Sequence, residues 1–100
     1  MTIRAPQDCT TMAEVRAGVD QVDRELVALL ARRFGYMDAA ARIKRTRGEV
    51  RDEARKAQVI AAARADADSR GLPADAVADL WERLVEASIA HELAAFDRRG

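Results

Sequence analysis

An unbroken helical pattern from Thr11 to about Arg47 constrains the fold more than any other feature of the sequence. The stretch contains no proline, and its large apolar residues recur in alternating steps of three and four, the spacing of one face of an amphipathic helix. These residues are Met12, Val15, Val19, Val22, Leu26 and Leu29. Thr11 followed by Glu14 forms a capping box, which predicts where the helix begins. Gly48 is predicted to end it in the left-handed conformation.

A helix over residues 12–47 is too long to be covered by its own chain. At about 1.5 Å per residue, its roughly 36 residues extend for about 54 Å. A compact domain of 100 residues has a radius of gyration near 13 Å, and hence a diameter of only about 35 Å. We therefore predict that a second copy of the chain covers the apolar face, in a homodimer.

The composition fits an all-α protein. Alanine, leucine, arginine and glutamate dominate and aromatic residues are few, which is typical of helices. The 17 basic and 17 acidic residues cancel, which argues against nucleic acid or an anionic membrane as a partner bound through bulk charge. No apolar run has the length of a membrane span or the form of a signal peptide. The single Cys9 cannot form an intramolecular disulfide, so we expect a cytoplasmic protein.

Two further helices complete the predicted fold. A second helix over residues 53–70 follows Asp52, a suitable N-cap, and Gly71 is expected to end it. Pro73 fits the first position of a third helix over residues 73–98. No repeat or composition change suggests a boundary, so residues 1–100 are predicted to form one domain of three helices.

Charged residues interrupt the apolar faces of the first and third helices. Arg33 stands where the first stripe predicts an apolar residue, and Lys44 is eleven residues, or about three turns, further on. Their side chains therefore point within about 20° of each other. On the third helix, Ser88 and Glu92 interrupt the stripe one turn apart. A carboxylate on an apolar face is costly unless it is paired. Several cations and one carboxylate between helices would form a pocket for a small dianion.

Arg16 can share such a pocket with Arg33 only if it comes from another subunit. It lies 17 residues before Arg33, which is roughly 25 Å along the helix and about 100° around it. This inference agrees with the argument from helix length. The alternative is that Arg33 and Lys44 extend into solvent or pair with acidic side chains on the surface.

No other catalytic pattern competes with this pocket. The lone His91 is expected to be a surface or packed side chain, and Cys9 a small buried apolar one. The sequence lacks a cluster of histidines or cysteines, so we predict no metal. It also lacks a phosphate-binding loop and a catalytic triad, and we predict no cofactor.

In these residues the sequence resembles the all-helical chorismate mutases (the AroQ class), which are intertwined dimers of three-helix chains. The resemblance covers nearly the whole chain. The matching segments are Glu14-Val15-Arg16, Val19-Asp20, Val22-Asp23, Leu29-Leu30-Ala31-Arg32-Arg33, Lys44, Val50-Arg51-Asp52 with Arg55, and Ser88 with Glu92. The resemblance implies that the chain rearranges chorismate, a small dianion, to prephenate without a cofactor. Such an enzyme holds the reactive conformer and stabilises the charge that develops on the ether oxygen.

The resemblance also implies roles for the candidate residues. Arg16 of the partner subunit would bind one substrate carboxylate, and Arg33 would bind the region of the other. Lys44 would bind the ether oxygen and the adjacent carboxylate. Arg55 and Ser88 would support the binding of the carboxylates.

Three positions near the substrate's ring and ether oxygen complete this comparison. Asp52 would help to position the ring hydroxyl, largely through its backbone. Many mutases have a glutamine where this chain has Glu92, and that side chain donates a hydrogen bond to the oxygen of the breaking ether; a glutamate must be protonated to do the same. Many mutases also have a glutamate, which contacts the ring hydroxyl, where this chain has Lys56.

Asp8-Cys9-Thr10 followed by Val15-Arg16 resembles the start of isochorismate-pyruvate lyases, which have the same fold. Those enzymes form salicylate and pyruvate, and they also lack a glutamate at the position of Lys56. We favour chorismate mutase, with isochorismate-pyruvate lyase as the nearest alternative. A third interpretation is an inert helical dimerisation module, in which Arg33 and Glu92 are surface or interface charges.

Overall fold

The computed structural model describes residues 3–99, which form three α-helices and no strand. Helix α1 spans Met12–Ile43, α2 spans Glu53–Ser69 and α3 spans Ala74–Asp97. Two short 3-10 turns, Pro6–Asp8 and Arg47–Glu49, precede and follow α1. The predicted all-α, three-helix architecture is confirmed. None of the described helices is both long and apolar enough to cross a membrane.

The chain divides into two compact units, one ending at Gly35 and the other beginning at Tyr36, and α1 contributes residues to both. In the first unit, Glu14 fixes the start of α1. Its Oε1 accepts from the backbone N–H groups of Thr10 and Thr11 at 3.0 and 3.1 Å, while its own N–H donates to Thr11 Oγ1 at 3.2 Å. These hydrogen bonds, that from the Thr10 backbone above all, hold the pKa of Glu14 below its ordinary value. The predicted capping box is confirmed.

The apolar face of α1 is uncovered in the single chain. Five of its large apolar residues are 51% to 59% exposed, namely Met12, Val19, Val22, Leu26 and Leu29. The observed helix has 32 residues and is therefore about 48 Å long. The conflict between helix length and the diameter of a compact chain thus persists for the observed helix.

The predicted end of α1 near residue 47 is wrong, because Glu49 competes for the amides beyond Ile43. Its Oε2 accepts from the N–H groups of Arg45 and Thr46 at 2.7 and 2.9 Å, which removes both from the helical ladder. Thr46 and Glu49 form the capping box of the following 3-10 turn, a signal that our prediction did not use. Gly48 does not end the helix in the left-handed conformation; it lies in the following 3-10 turn without a positive φ.

The start and end of α2 follow the predicted signals. Asp52 is its N-cap, with Oδ1 accepting from the N–H of Arg55 at 3.0 Å. At the other end, Gly71 has a φ of 72°. Its N–H donates to the carbonyl of Asp68 at 3.1 Å, and the N–H of the next residue donates to the carbonyl of Ala67 at 2.9 Å. These two bonds form a Schellman motif, which needs a glycine at the left-handed position.

Pro73 was predicted to be the first residue of α3, but it lies one residue before the helix. It is the N-cap of α3, and its carbonyl accepts from the N–H of Val77 at 3.1 Å. The predicted stripe of α3 faces inward, and each of its members is buried or half-buried: Val77, Trp81, Leu84, Ser88, Glu92 and Ala95. Helices α2 and α3 pack against each other over a core formed by Val50, Val85 and Ile89, with Val59, Ile60, Leu93 and Phe96 around it.

Candidate active site

Lys44 follows the last residue of α1 and contacts Glu92, a buried carboxylate on α3. Its Nζ lies 2.7 Å from Glu92 Oε2, a charge-assisted hydrogen bond in which the ammonium donates. The same Nζ lies 3.5 Å from the carbonyl of Val50. Glu92 is only 4% exposed, whereas the side chain of Lys44 is 29% exposed. An ammonium has three donors. The carboxylate and the carbonyl engage two of them, so a third can be offered to a ligand.

Near the end of α1, the residues that precede Lys44 on one face of the helix are buried or half-buried. Ala41 is buried, and Met37 and Ala40 are half-buried. Tyr36 and Ile43 continue the three-and-four spacing of the predicted stripe, yet they are 67% and 74% exposed. The buried face of α1 near Lys44 therefore lies to one side of the predicted stripe.

Ser88 lies one turn before Glu92 on the same inward face of α3. It is 3% exposed, and its Oγ donates to the carbonyl of Leu84 at 2.6 Å. The hydroxyl proton of Ser88 is therefore engaged by its own helix, and the side chain lies one turn before the carboxylate of Glu92.

The start of α2 carries three further candidate residues. Asp52 and Arg55 are exposed, and the carboxylate of Asp52 caps the helix. Lys56 instead points to α3, where its Nζ lies 2.6 Å from Glu82 Oε1 and 2.8 Å from Glu86 Oε2. These contacts, with Glu82 first, raise the pKa of Lys56. Lys56 is thus occupied by two carboxylates of its own chain.

Arg51 completes an ion-pair cluster that the sequence analysis did not identify. Its Nη1 and Nη2 donate to the two oxygens of Glu86 at 3.1 and 2.9 Å. The Arg51 guanidinium and then the Lys56 ammonium lower the pKa of Glu86 to about 2. The available signal was the four-residue spacing of Glu82 and Glu86, which places two carboxylates on one face of α3. The identity of their partners depends on how α2 packs.

Arg16 and Arg33 belong to the unit that ends at Gly35, whereas the other candidate residues lie in the second unit. Arg16 is exposed and Arg33 is half-buried. Within the second unit, the chain brings Lys44, Glu92 and Ser88 together. A joint site with Arg16 or Arg33 remains a proposal.

The remaining reactive side chains have structural partners. His91 Nε2 lies 2.7 Å from Asp38 Oδ1, a packed position of the kind expected. Cys9 is half-buried, and its Sγ donates to the carbonyl of Ala5 at 3.6 Å. Over residues 3–99, no three histidine, cysteine, aspartate or glutamate side chains are grouped so that they could hold a metal ion.

Comparison with known proteins gives a family and two relatives. The family model "Chorismate mutase type II" matches residues 15–93. The isochorismate pyruvate lyase of Pseudomonas aeruginosa is 30% identical over 91 residues, which cover 91% of this chain and 90% of that protein. The T-protein of Haemophilus influenzae is 28% identical over 82 residues, which cover 81% of this chain but 22% of the T-protein.

Proposed function

The chain belongs to the type II chorismate mutase family, and from this we propose that it rearranges chorismate to prephenate. In this reaction one carbon–oxygen bond breaks and one carbon–carbon bond forms within the same molecule, in a single pericyclic step. No covalent intermediate is needed. The protein has to hold a compact conformer of a dianion and stabilise negative charge on the ether oxygen.

The observation that carries the proposal is the buried contact between Lys44 and Glu92. An ammonium held at 2.7 Å from a buried carboxylate is fixed in place before substrate arrives. Fixed donors stabilise developing charge without reorganisation during the reaction. We assign to Lys44 the hydrogen bond to the ether oxygen and the adjacent carboxylate.

Glu92 is assigned the second hydrogen bond to the ether oxygen, which requires that it hold a proton. In the empty site its carboxylate accepts from Lys44. With substrate bound, the acid form of Glu92 would donate to the ether oxygen, and Lys44 would offer its third N–H to the same region.

The cations that complete the site are proposed to come from two chains. Arg33 would bind a substrate carboxylate, and Arg16 of a second copy would reach the same pocket, with Arg55, Asp52 and Ser88 supporting the substrate. The exposed apolar face of α1 supports this homodimer, because isolated chains rarely leave so many large apolar residues in water.

Lys56 stands where the resemblance places a contact with the substrate's ring hydroxyl. To reach a substrate hydroxyl it would have to leave Glu82 and Glu86. We propose that it supports the position of α2 on α3.

The second candidate function is the lyase reaction, isochorismate to salicylate and pyruvate. The observation that favours it is the relative of that name, which matches over nearly the full length of both proteins. The chain's Asp8-Cys9-Thr10 segment, which resembles the lyases, points the same way.

Separate incubations of the purified protein with chorismate and isochorismate test the two functions. We expect prephenate from chorismate, with a kcat that falls at least about 100-fold in Lys44→Ala, the loss seen when a fixed donor is removed from such a site. Arg45→Ala is the matched control: this neighbouring side chain is exposed, and its removal should leave kcat within about twofold. Faster formation of salicylate and pyruvate would establish the lyase instead. No turnover of either compound would favour the inert dimerisation module.

A further inference from the structure

The C-terminal end of α3 holds the segment that follows α1. Arg99 Nη1 donates to the backbone carbonyl of Lys44 at 2.6 Å. Three residues further along the segment, the Nε and Nη2 of Arg47 donate to the two oxygens of Asp97 at 2.9 and 3.3 Å. Two contacts therefore join the last residues of the described chain to the segment that begins at Lys44.

Arg99 is itself anchored to the core. Its guanidinium carbon lies 4.2 Å from the centre of the Phe96 ring, a cation–π contact. Phe96 packs against the cluster that contains Val85 and Ile89. The guanidinium that reaches Lys44 is thus supported by a side chain fixed in the core, although Arg99 is exposed.

The carbonyl of Lys44 needs a donor such as Arg99 because it lies at the C-terminal end of α1. The last carbonyls of a helix have no donor within the helix and must find other donors. On the far side of the same peptide segment, Glu49 accepts from the amides of Arg45 and Thr46. Arg99 and Glu49 therefore fix the backbone around Lys44 from both sides, one through a carbonyl and the other through amides.

The position of this backbone determines where the Lys44 ammonium lies. An error of about 1 Å in the placement of a reacting group can cost about 100-fold in rate. We propose that Arg99 is a positioning residue, which holds the Lys44 backbone so that the ammonium meets the ether oxygen. The catalytic part of this inference rests on the proposed function. Arg99 itself is not assigned any contact with the substrate.

Arg99→Ala tests the inference, with Arg98→Ala as the matched control because it removes an exposed arginine from the neighbouring position. We expect kcat to fall about tenfold in Arg99→Ala, equal to about 1.4 kcal/mol, with KM within about twofold and Tm within about 3 °C of the wild type. Arg99→Lys should recover most of the loss, because an ammonium can also donate to the Lys44 carbonyl. Arg98→Ala should behave as the wild type.

Amide hydrogen exchange of residues 45–50 provides a readout that does not depend on turnover. We expect these amides to exchange about tenfold faster in Arg99→Ala and at the wild-type rate in Arg98→Ala. Unchanged kcat in Arg99→Ala, unchanged exchange, or equal losses in both variants would overturn the inference. If the wild-type protein turns over neither chorismate nor isochorismate, the proposed function fails and the catalytic part with it; the exchange rates then decide whether Arg99 holds this segment.

Discussion

Glu92 and Lys44 form an ion pair in which each side chain compensates the charge of the other. Removing one member of a buried ion pair leaves an uncompensated charge, which is more damaging than replacing both members with apolar side chains. Because Lys44 is also the proposed donor to the substrate, its contact with Glu92 fixes the ammonium before substrate binds. The proposed donor role of Glu92 requires a protonated carboxyl, and this requirement can be tested by pH.

Because only a protonated carboxyl can donate a hydrogen bond, the proposed role of Glu92 predicts that wild-type kcat falls as pH rises. Glu92→Gln keeps an N–H donor at every pH, so its kcat should be nearly constant between about pH 5 and 9. Initial rates at saturating chorismate measure both profiles. A flat wild-type profile, or the same fall in the glutamine variant, would place the proton donor elsewhere.

The pairing of α2 with α3 combines a small apolar core with the cluster of Arg51, Lys56, Glu82 and Glu86. The core residues of α2 are few, since Val59 and Ile60 are its large aliphatic side chains. The ion pairs add a contact near the start of α2, close to Asp52 and Arg55. Their contribution to the orientation of α2 is electrostatic and should therefore depend on pH.

Glu86→Gln tests that dependence. The carboxyl has a pKa of about 2 in the folded chain and an ordinary value of 4.5. Its stabilising effect is therefore complete above about pH 4.5 and is lost as the pH falls toward 2. We expect Tm to fall more steeply between about pH 5 and 2 in the wild type than in Glu86→Gln. Asp79→Asn, an exposed change on the same helix, should keep the wild-type slope. Parallel slopes for wild type and Glu86→Gln would contradict a role for this cluster.

Local signals in the sequence predicted the helices and their caps more accurately than they predicted the contacts between helices. The caps at Thr11, Asp52 and Gly71 involve partners within five residues, so their chemistry is visible in a short stretch. The prediction of the end of α1 was wrong because Glu49, which binds the amides that follow the helix, lies beyond the predicted helix. The pairing of Lys56 with Glu86 joins residues 30 apart in the chain, which no short pattern encodes.

The candidate site likewise contains residues that the sequence indicated and a residue that it did not. The spacing of apolar positions singled out Arg33 and Glu92, since charges on an apolar face are costly unless they are paired. Lys44 followed from its eleven-residue spacing to Arg33. Arg99 gave no such signal, because it lies 55 residues from Lys44 in a charged, exposed end of the chain. A contact of this kind depends on how the end of α3 packs beside the segment after α1.

For the whole molecule, the main question is which chain supplies each cation. The exposed face of α1 supports the proposed second copy, and Arg16 lies on α1 about 25 Å from Arg33. If two chains exchange Arg16, each active site contains side chains from both. A variant defective at Arg16 and a variant defective at Lys44 should then complement each other.

Co-expression of Arg16→Ala with Lys44→Ala tests this exchange. Each variant alone should lose about 100-fold in kcat, whereas the mixture should recover up to about a quarter of wild-type activity, since about half of the dimers are mixed and each has one intact site. Lys44→Ala with Glu92→Ala is the control, because these residues lie together in one chain and every site then keeps a defect. Failure of the first mixture to recover would mean that Arg16 does not act across chains.

The turn between α2 and α3, which contains Gly71, also affects the order of folding. Only residues 70–73 separate the two helices, so bringing them together costs little loop-closure entropy. Contacts between near neighbours in sequence form fast. This hairpin can therefore become ordered early and carry Glu92 and Ser88 on its inner face, so that part of the proposed pocket would be built before a second copy of the chain binds.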